Sequence, residues 1–219
     1  MNPSVLLLAD GRFPAGGHAY SAGVESAVDV GDVRDLASLE RYLDGRLAIG
    51  VVEAAFAVAA VRANAAQIDL LDAEFEARVL SPRLRTVSRQ LGRQLARAAV
   101  AVWPDAALSR LAASHDGPHQ PVALGVAVGV CGGSPADAAS ISLHHLAAAA
   151  CTAGVRLLGL DPLAVAGVQA RALARHLPSV DDVAEWSTST PSRLPAHGGT
   201  LTELLGERHG EWDARLFLA

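Results

Sequence analysis

The chain reads as an all-α, single-domain bundle of about eight or more helices joined by short loops and followed by a flexible C-terminal tail. Three observations predict this. Apolar residues recur at helical spacing along most of the chain, a capping residue followed by proline opens one helix after another, and no alternating β-branched run stands between hairpin turns. No fixed repeat period appears, which favours a bundle over a solenoid. At 219 residues the chain can bury a sizeable core in one domain. Hydrophobic residues make up 51% of it but aromatics only 4%, so that core is built from Ala, Leu and Val, a choice suited to close helix packing.

The first informative segment runs from Leu6 to Val28. Phe13-Pro14 and Gly16-Gly17 cannot propagate a helix, because proline fixes φ and lacks a donor and glycine enters left-handed conformations cheaply. They read as a tight connection. Beyond it, Tyr20, Val24, Ala27 and Val28 recur at roughly helical spacing and predict a short helix over Ser21 to Val30, with Tyr20 and Glu25 beside the turn. Asp35 then caps a long helix over Leu36 to Asn64, whose stripe is Leu39, Leu43, Leu47, Val51 and Val52. Gly45 and Gly50 inside it permit a bend or a close helix crossing.

Periodicity continues from Ala66 to Leu80, and Ser81-Pro82 marks a new start with Ser as N-cap and Pro at the first helical position. Ser134-Pro135 and Asp161-Pro162 repeat that pattern, and Trp103-Pro104 gives a version without a capping side chain. The series predicted is Pro82 to Val102, Pro104 to Ser114, Pro121 to Cys131, Pro135 to Leu158 and Pro162 to His176. Ser179-x-x-Asp182 resembles a capping box and opens a last short helix through Trp186. Residues 1–186 thus form the helical domain, and 187–219 read as loop and tail. Leu201, Leu204, Leu205, Trp212, Leu216 and Phe217 carry too much apolar surface for a solvated tail, so it is expected to dock and to become ordered on partner binding.

Composition excludes several functions. A net charge of -5 leaves no counterion-release footprint for nucleic acid and no polybasic face for a membrane. All 18 basic residues are Arg, which fits the same compositional bias that enriches Ala. Cys131 and Cys151 form no CxxC and are read as buried thiols, while Leu6 to Leu8 is too short for a signal peptide core, so a reducing cytoplasm is expected. Leu47 to Val61 and Ala123 to Val130 approach membrane hydropathy but read as core helices. The glycines of Leu124 to Gly133 read as close packing and a turn.

No Walker A, GxSxG, HExxH or EF-hand pattern occurs, so neither a self-contained active site nor a cofactor is expected. His144 and His145 are adjacent and do not share a helix face. One or the other can share a face with Cys151, which keeps open an alternative, a helical metal- or small-ligand-binding protein using these three residues. His115 and His119 are separated by Gly117-Pro118 and belong to a loop, and His18 reads as a surface histidine. Ser88, Arg89, Leu91, Gly92 and Leu95 lie on one helix. There Gly92 leaves room for another backbone and Arg89 can anchor a carboxylate, unless this is simply a core helix with a solvated Arg face.

Taken together, these segments resemble the urease accessory protein UreF family. FPAGGHAYSAGVESAV at Phe13 to Val28 is similar to the family's LPxGGFxYSxGLExAV, with His18 in the place of the Phe that follows its double glycine. Ser88 to Gly92 resembles SRxLG; His119, Pro121, Val122 and Gly125 resemble HxPVxxG; Ala153 to Leu160 resembles AxVRLxPL; and ERHGEWDARLFLA resembles MRHExxxxRLFxS. The resemblance implies a non-catalytic all-α homodimer. Its implied partners are the scaffold UreD (also called UreH), the GTPase UreG and the urease apoprotein, which receives nickel. On this basis Phe13, Pro14, Gly16, Gly17, Tyr20, Ser21 and Glu25, with Arg208, His209, Arg215 and Phe217 of the tail, are expected to form or adjoin the UreD surface. Arg156, with acidic surface near Glu25, is expected to contribute to the face that meets UreG.

Overall fold

The computed structural model describes residues 2–212 together with Leu216 and Phe217. Among them are eleven α-helices and no strand: α1 Pro3–Ala9, α2 Val24–Asp29, α3 Leu36–Ala60, α4 Ala65–Arg78, α5 Pro82–Val102, α6 Ala106–Ala113, α7 Gln120–Val130, α8 Pro135–Leu158, α9 Pro162–His176, α10 Val180–Thr188 and α11 Thr200–Gly210. Helix α3 is the axis of one domain, with α7, α8, α9 and α10 packed around it, while α5 packs on α6 and α7 and receives α11.

Local capping sets most of the boundaries. The Asp35 carboxylate accepts the Ser38 N–H at 2.8 Å and the Ser38 hydroxyl accepts the Asp35 N–H at 3.0 Å, which satisfies two donors that the helix itself leaves open. Ser134 and Ser179 cap α8 and α10 in the same way, the Ser81 hydroxyl caps α5 by accepting the Leu84 N–H, and Asp161 caps α9. Helix α6 departs from expectation. It begins at Ala106 because the Asp105 carboxylate accepts the N–H groups of Ala107 and Leu108, so the cap lies beyond Trp103-Pro104. Helix α3 stops at Ala60, short of Asn64, because Asn64 is itself the cap of α4.

Small residues let the core helices approach closely. A side-chain carbon added at Gly125 on α7 would overlap the Ala57 carbonyl oxygen of α3 and lie 2.6 Å from the Ala60 methyl, and Gly129 abuts the Val61 carbonyl. Of the two glycines inside α3, Gly50 receives Leu143 and Leu146 of α8, whereas Gly45 is exposed with nothing within 4 Å. Helix α8 is the one described helix long and apolar enough to cross a membrane by length and composition, and half of that stretch is buried inside the protein. The stretches over Leu47 to Val61 and Ala123 to Val130 supply core from α3 and α7.

Two elements lie where the sequence signals turn or tail. Helix α1 forms over the apolar run at the N-terminus, capped by Asn2, and its Leu8 carbonyl is met by His145 Nε2 at 3.0 Å. Within 187–219, a 3₁₀ turn at Pro191–Arg193 precedes α11. Arg78 holds that turn by donating to the carbonyls of Pro191, Ser192, Leu194 and Pro195 at 3.1 to 3.3 Å.

His145 makes stability depend on pH. Burial, with His144 beside it, pushes its imidazole down to about 4. The unfolded chain binds this proton near 6.5 and the folded chain only near 4, so the contribution is complete above pH 6.5 and is lost as pH falls toward 4. His144 and His119 are also lowered, first by burial, and act in the same direction. Urea titrations are expected to show about 2 kcal/mol less stability at pH 5 than at pH 7 from His145 alone. His145→Gln, which retains a donor and does not titrate, should remove that part of the slope. An unchanged slope would refute the assignment.

Candidate functional site

The N-terminal segment turns through backbone that few sequences adopt. Gly16 and Gly23 have φ of 81° and 86°, and between them Ala22 has φ 55°, the one positive value at a described non-glycine residue. Tyr42 of α3 donates its hydroxyl to the Ala22 carbonyl at 2.8 Å and occupies the space that a side chain at Gly23 would need. A 3₁₀ turn at Gly17–Ala19 and this kink replace the first part of the helix expected from Ser21, so α2 begins at Val24. The kink carries Glu25 and Ser26 inward, where they are 8% and 2% exposed.

The C-terminal segment closes on that carboxylate. His209 Nε2 lies 2.7 Å from one Glu25 oxygen, and the backbone N–H groups of Leu216 and Phe217 donate to the two oxygens at 2.9 and 3.1 Å. The Ser26 hydroxyl donates to the Leu205 carbonyl at 3.3 Å. The Phe217 ring is buried beneath the Arg156 guanidinium, 4.7 Å from its centroid, a cation–π arrangement that fixes the end of α8 to the tail. Helix α11 is tied to α5 as well: Glu203 accepts the Ser81 N–H at 2.7 Å, and Glu207 accepts the Ser81 hydroxyl and the Arg83 N–H. Ser81 binding holds the Glu207 carboxyl below its ordinary range, with Arg83 adding to it.

Of the expected partner-binding residues, the structure brings Glu25, Arg156, His209 and Phe217 together, with Arg208 beside them on Asp29 at 3.6 Å. Phe13 is directed elsewhere, buried against Trp103 at 5.9 Å, and Tyr20 accepts from Arg46 at 3.3 Å. Ser21 is buried; Pro14, Gly17, Arg156 and Arg208 are exposed; Gly16 is half-buried against Gln94. Arg215 and the side chain of His18 lie outside the described residues. The Glu25 carboxylate is itself enclosed and spent on three donors, and an exposed acid near it, Asp29, lies one turn further along α2.

In a second cluster Arg89 does anchor carboxylates, and they belong to this same chain. Its guanidinium bonds Asp72 at 3.0 Å, Glu76 at 2.8 Å and the Gly117 carbonyl at 2.6 Å, all within the protein. Gly92 leaves room for backbone of this same chain, the Pro118 to Gln120 segment. His119 lies in the loop as expected, as the fully buried residue that immediately precedes α7, and its backbone N–H donates to Asp72 at 2.7 Å. Its ring lies between Ser88 at 3.1 Å and Glu76 at 2.6 Å.

Ser, His and Glu in a row resemble a nucleophile relay in outline, but the chemistry here is that of a weld. Burial, then Arg89, lowers the basicity of His119, and the Ser88 oxygen already accepts the Gln120 N–H at 3.2 Å. The cluster joins α4, α5 and α7. Side-chain types at helical spacing could not reveal it, because its members come from three separated helices.

The residues of the metal-binding alternative are dispersed. His145 faces the Leu8 carbonyl, and burial pushes the Cys151 thiol up to about 12. Among the described residues, no three His, Cys, Asp or Glu side chains are grouped to hold a metal ion.

The UreF family profile matches residues 33–173, more than half of the chain. The chain belongs to the UreF family. It is 39% identical over 215 residues to the urease accessory protein UreF of Mycobacterium sp. strain JLS, covering 98% of this chain and 97% of that protein. It is 38% identical over 220 residues to UreF of Mycolicibacterium vanbaalenii, with the same coverage, and 33% identical over 217 residues to UreF of Mycobacterium tuberculosis strain H37Rv. The family profile stops short of both ends, whereas the UreF relatives extend across the paired termini that meet at Glu25.

Proposed function

We propose that the chain is a non-catalytic bridge of urease maturation. It joins the UreD (UreH) scaffold to the UreG GTPase and, as a cytoplasmic homodimer, gates the transfer of nickel to apo-urease. The observation that carries this reading is the docking of the C-terminal segment onto the N-terminal turn around Glu25, with Leu201, Leu204 and Leu216 left 62, 64 and 64% exposed on it. Leucines held outward on a segment fixed by buried polar bonds form an apolar surface suited to a protein partner. UreD is that partner, and Arg156, exposed over Phe217, belongs to the neighbouring face that meets UreG.

The test is co-expression with UreD, UreG and urease, reading co-purification and urease activation with and without this chain. Deleting Gly206 to Ala219 is expected to abolish UreD co-purification and activation while helical circular dichroism persists. Arg156→Ala is expected to keep UreD and lose UreG. Unchanged co-purification of the truncated chain with UreD would overturn the reading.

A further inference from the structure

A cavity of about 270 Å³ lies between α3, α5 and α8, under the N-terminal turn and the segment leading into α11. Its presence follows from how α5 packs. Val87 and Leu91 on α5 form a small buried apolar cluster beside the main core, with Tyr20 packed against both, and the cavity lies between them. Across it stand Ile49 and Val52 of α3 and Leu146 and Ala149 of α8. The pocket is partly open to solvent and mainly apolar in its lining, so a molecule of matching shape gains dispersion contacts there and removes apolar wall from water.

The polar groups of the wall define what fits. Ser142 on α8 is 4% exposed, lines the cavity and has no hydrogen-bond partner among the described residues. Three of the ion pairs on the wall are closed, Arg46 with Glu53 at 2.7 Å, Arg78 with Glu74 at 2.6 Å and Asp10 with Arg12 at 2.7 Å, while Glu203 accepts the neutral Ser81 N–H and Arg46 keeps a buried Nε–H without a partner among the described residues. His144 and His145, also on the wall, are held toward the neutral form by burial. An anionic ligand would find the Arg46 and Arg78 charges already neutralised by Glu53 and Glu74 and would recover little of its desolvation.

We propose that this cavity is a binding site for a small uncharged amphipathic molecule: an apolar ring body carrying one carbonyl or hydroxyl oxygen that bonds the Ser142 hydroxyl. The ring body lies between Leu91 and Ala149, and the oxygen points to α8. Gly199, Thr202 and Glu203 form part of the same wall, so occupancy reaches the segment that leads into α11. The site is independent of the partner assignment above, since its ligand enters the interior and leaves the outward leucines untouched.

The probe is Prodan, a naphthalene ketone whose emission shifts to the blue in a dry apolar site. Titration of the full chain is expected to give one saturable site with blue-shifted emission. Ser142→Ala should weaken it roughly fivefold through the lost hydrogen bond. Leu91→Trp, which fills the gap, should abolish it, and Ala149→Leu serves the same purpose from α8 if the α5 variant does not fold. The proposal is overturned if the wild-type chain shows no saturable binding, or if binding survives in a folded cavity-filling variant.

Discussion

Glu25→Ala is expected to release the C-terminal segment while the helical core stays folded. The substitution leaves the His209 ring and the N–H groups of Leu216 and Phe217 without their shared acceptor in a site closed to water. Each orphaned buried donor costs about 1–3 kcal/mol, and undocking relieves all three by returning them to solvent. Undocking surrenders the contacts of α11 with α2 and α5 and the burial of Phe217 beneath Arg156, whereas global unfolding surrenders the whole core, so the local route is the cheaper one. Hydrogen exchange over residues 200–217 should accelerate by at least a hundredfold, with little change in α3, α7 and α8. Glu25→Gln keeps one acceptor oxygen but presents an amide N–H₂ to the remaining donors, and should fall between wild type and alanine. Exchange in Glu25→Ala equal to wild type would show that the carboxylate does not hold the segment.

The second large effect concerns the α3–α7 contact. Gly125→Val is expected to cost about 3 kcal/mol or more, because the new side chain overlaps the Ala57 carbonyl and crowds the Ala60 methyl. The obstructing atoms include helix backbone, which yields only if α3 and α7 separate. Gly45→Ala provides the contrast. It sits on the exposed side of α3 with nothing within 4 Å, so the methyl meets no obstacle and alanine's better helix propensity should add about 0.5–1 kcal/mol. Urea unfolding of both variants measures the difference. A Gly125→Val protein as stable as wild type would remove the case for close approach of these helices.

The two glycines fare differently in a linear reading. Gly125 lies in the Leu124 to Gly133 run that reads as close packing, and it is a contact, whereas Gly45, which reads with Gly50 as a bend or close crossing, faces open space. Helix limits were far more legible. The predicted ranges for α5, α8 and α9 coincide with those observed, because Ser81, Ser134 and Asp161 act within the first helical turn. Helix α6 was displaced because Asp105, one residue past the proline, supplies the actual acceptor. Helix α11 carries no capping side chain at Gly199, and its support comes instead from Ser81, Arg83 and Leu84 on α5. The apolar composition of the tail did announce that it would dock, though not where.

Arg89 and Glu25 mark the same boundary at the candidate site. On its own helix Arg89 has the spacing of a solvated face, yet α4 supplies Asp72 and Glu76 and turns it inward. Glu25 follows a turn and reads as exposed acid, yet a partner 184 residues away encloses it. The sequence by itself determined the helical class, most helix starts and the family, since caps, prolines and motif spacing act or are read over a few residues. Only the tertiary structure decided which charges became internal, which of the two glycines inside α3 became a contact, and that the two ends of the chain form one site around a single carboxylate. Those outcomes depend on atoms brought together by packing, and no local pattern encodes the far partner.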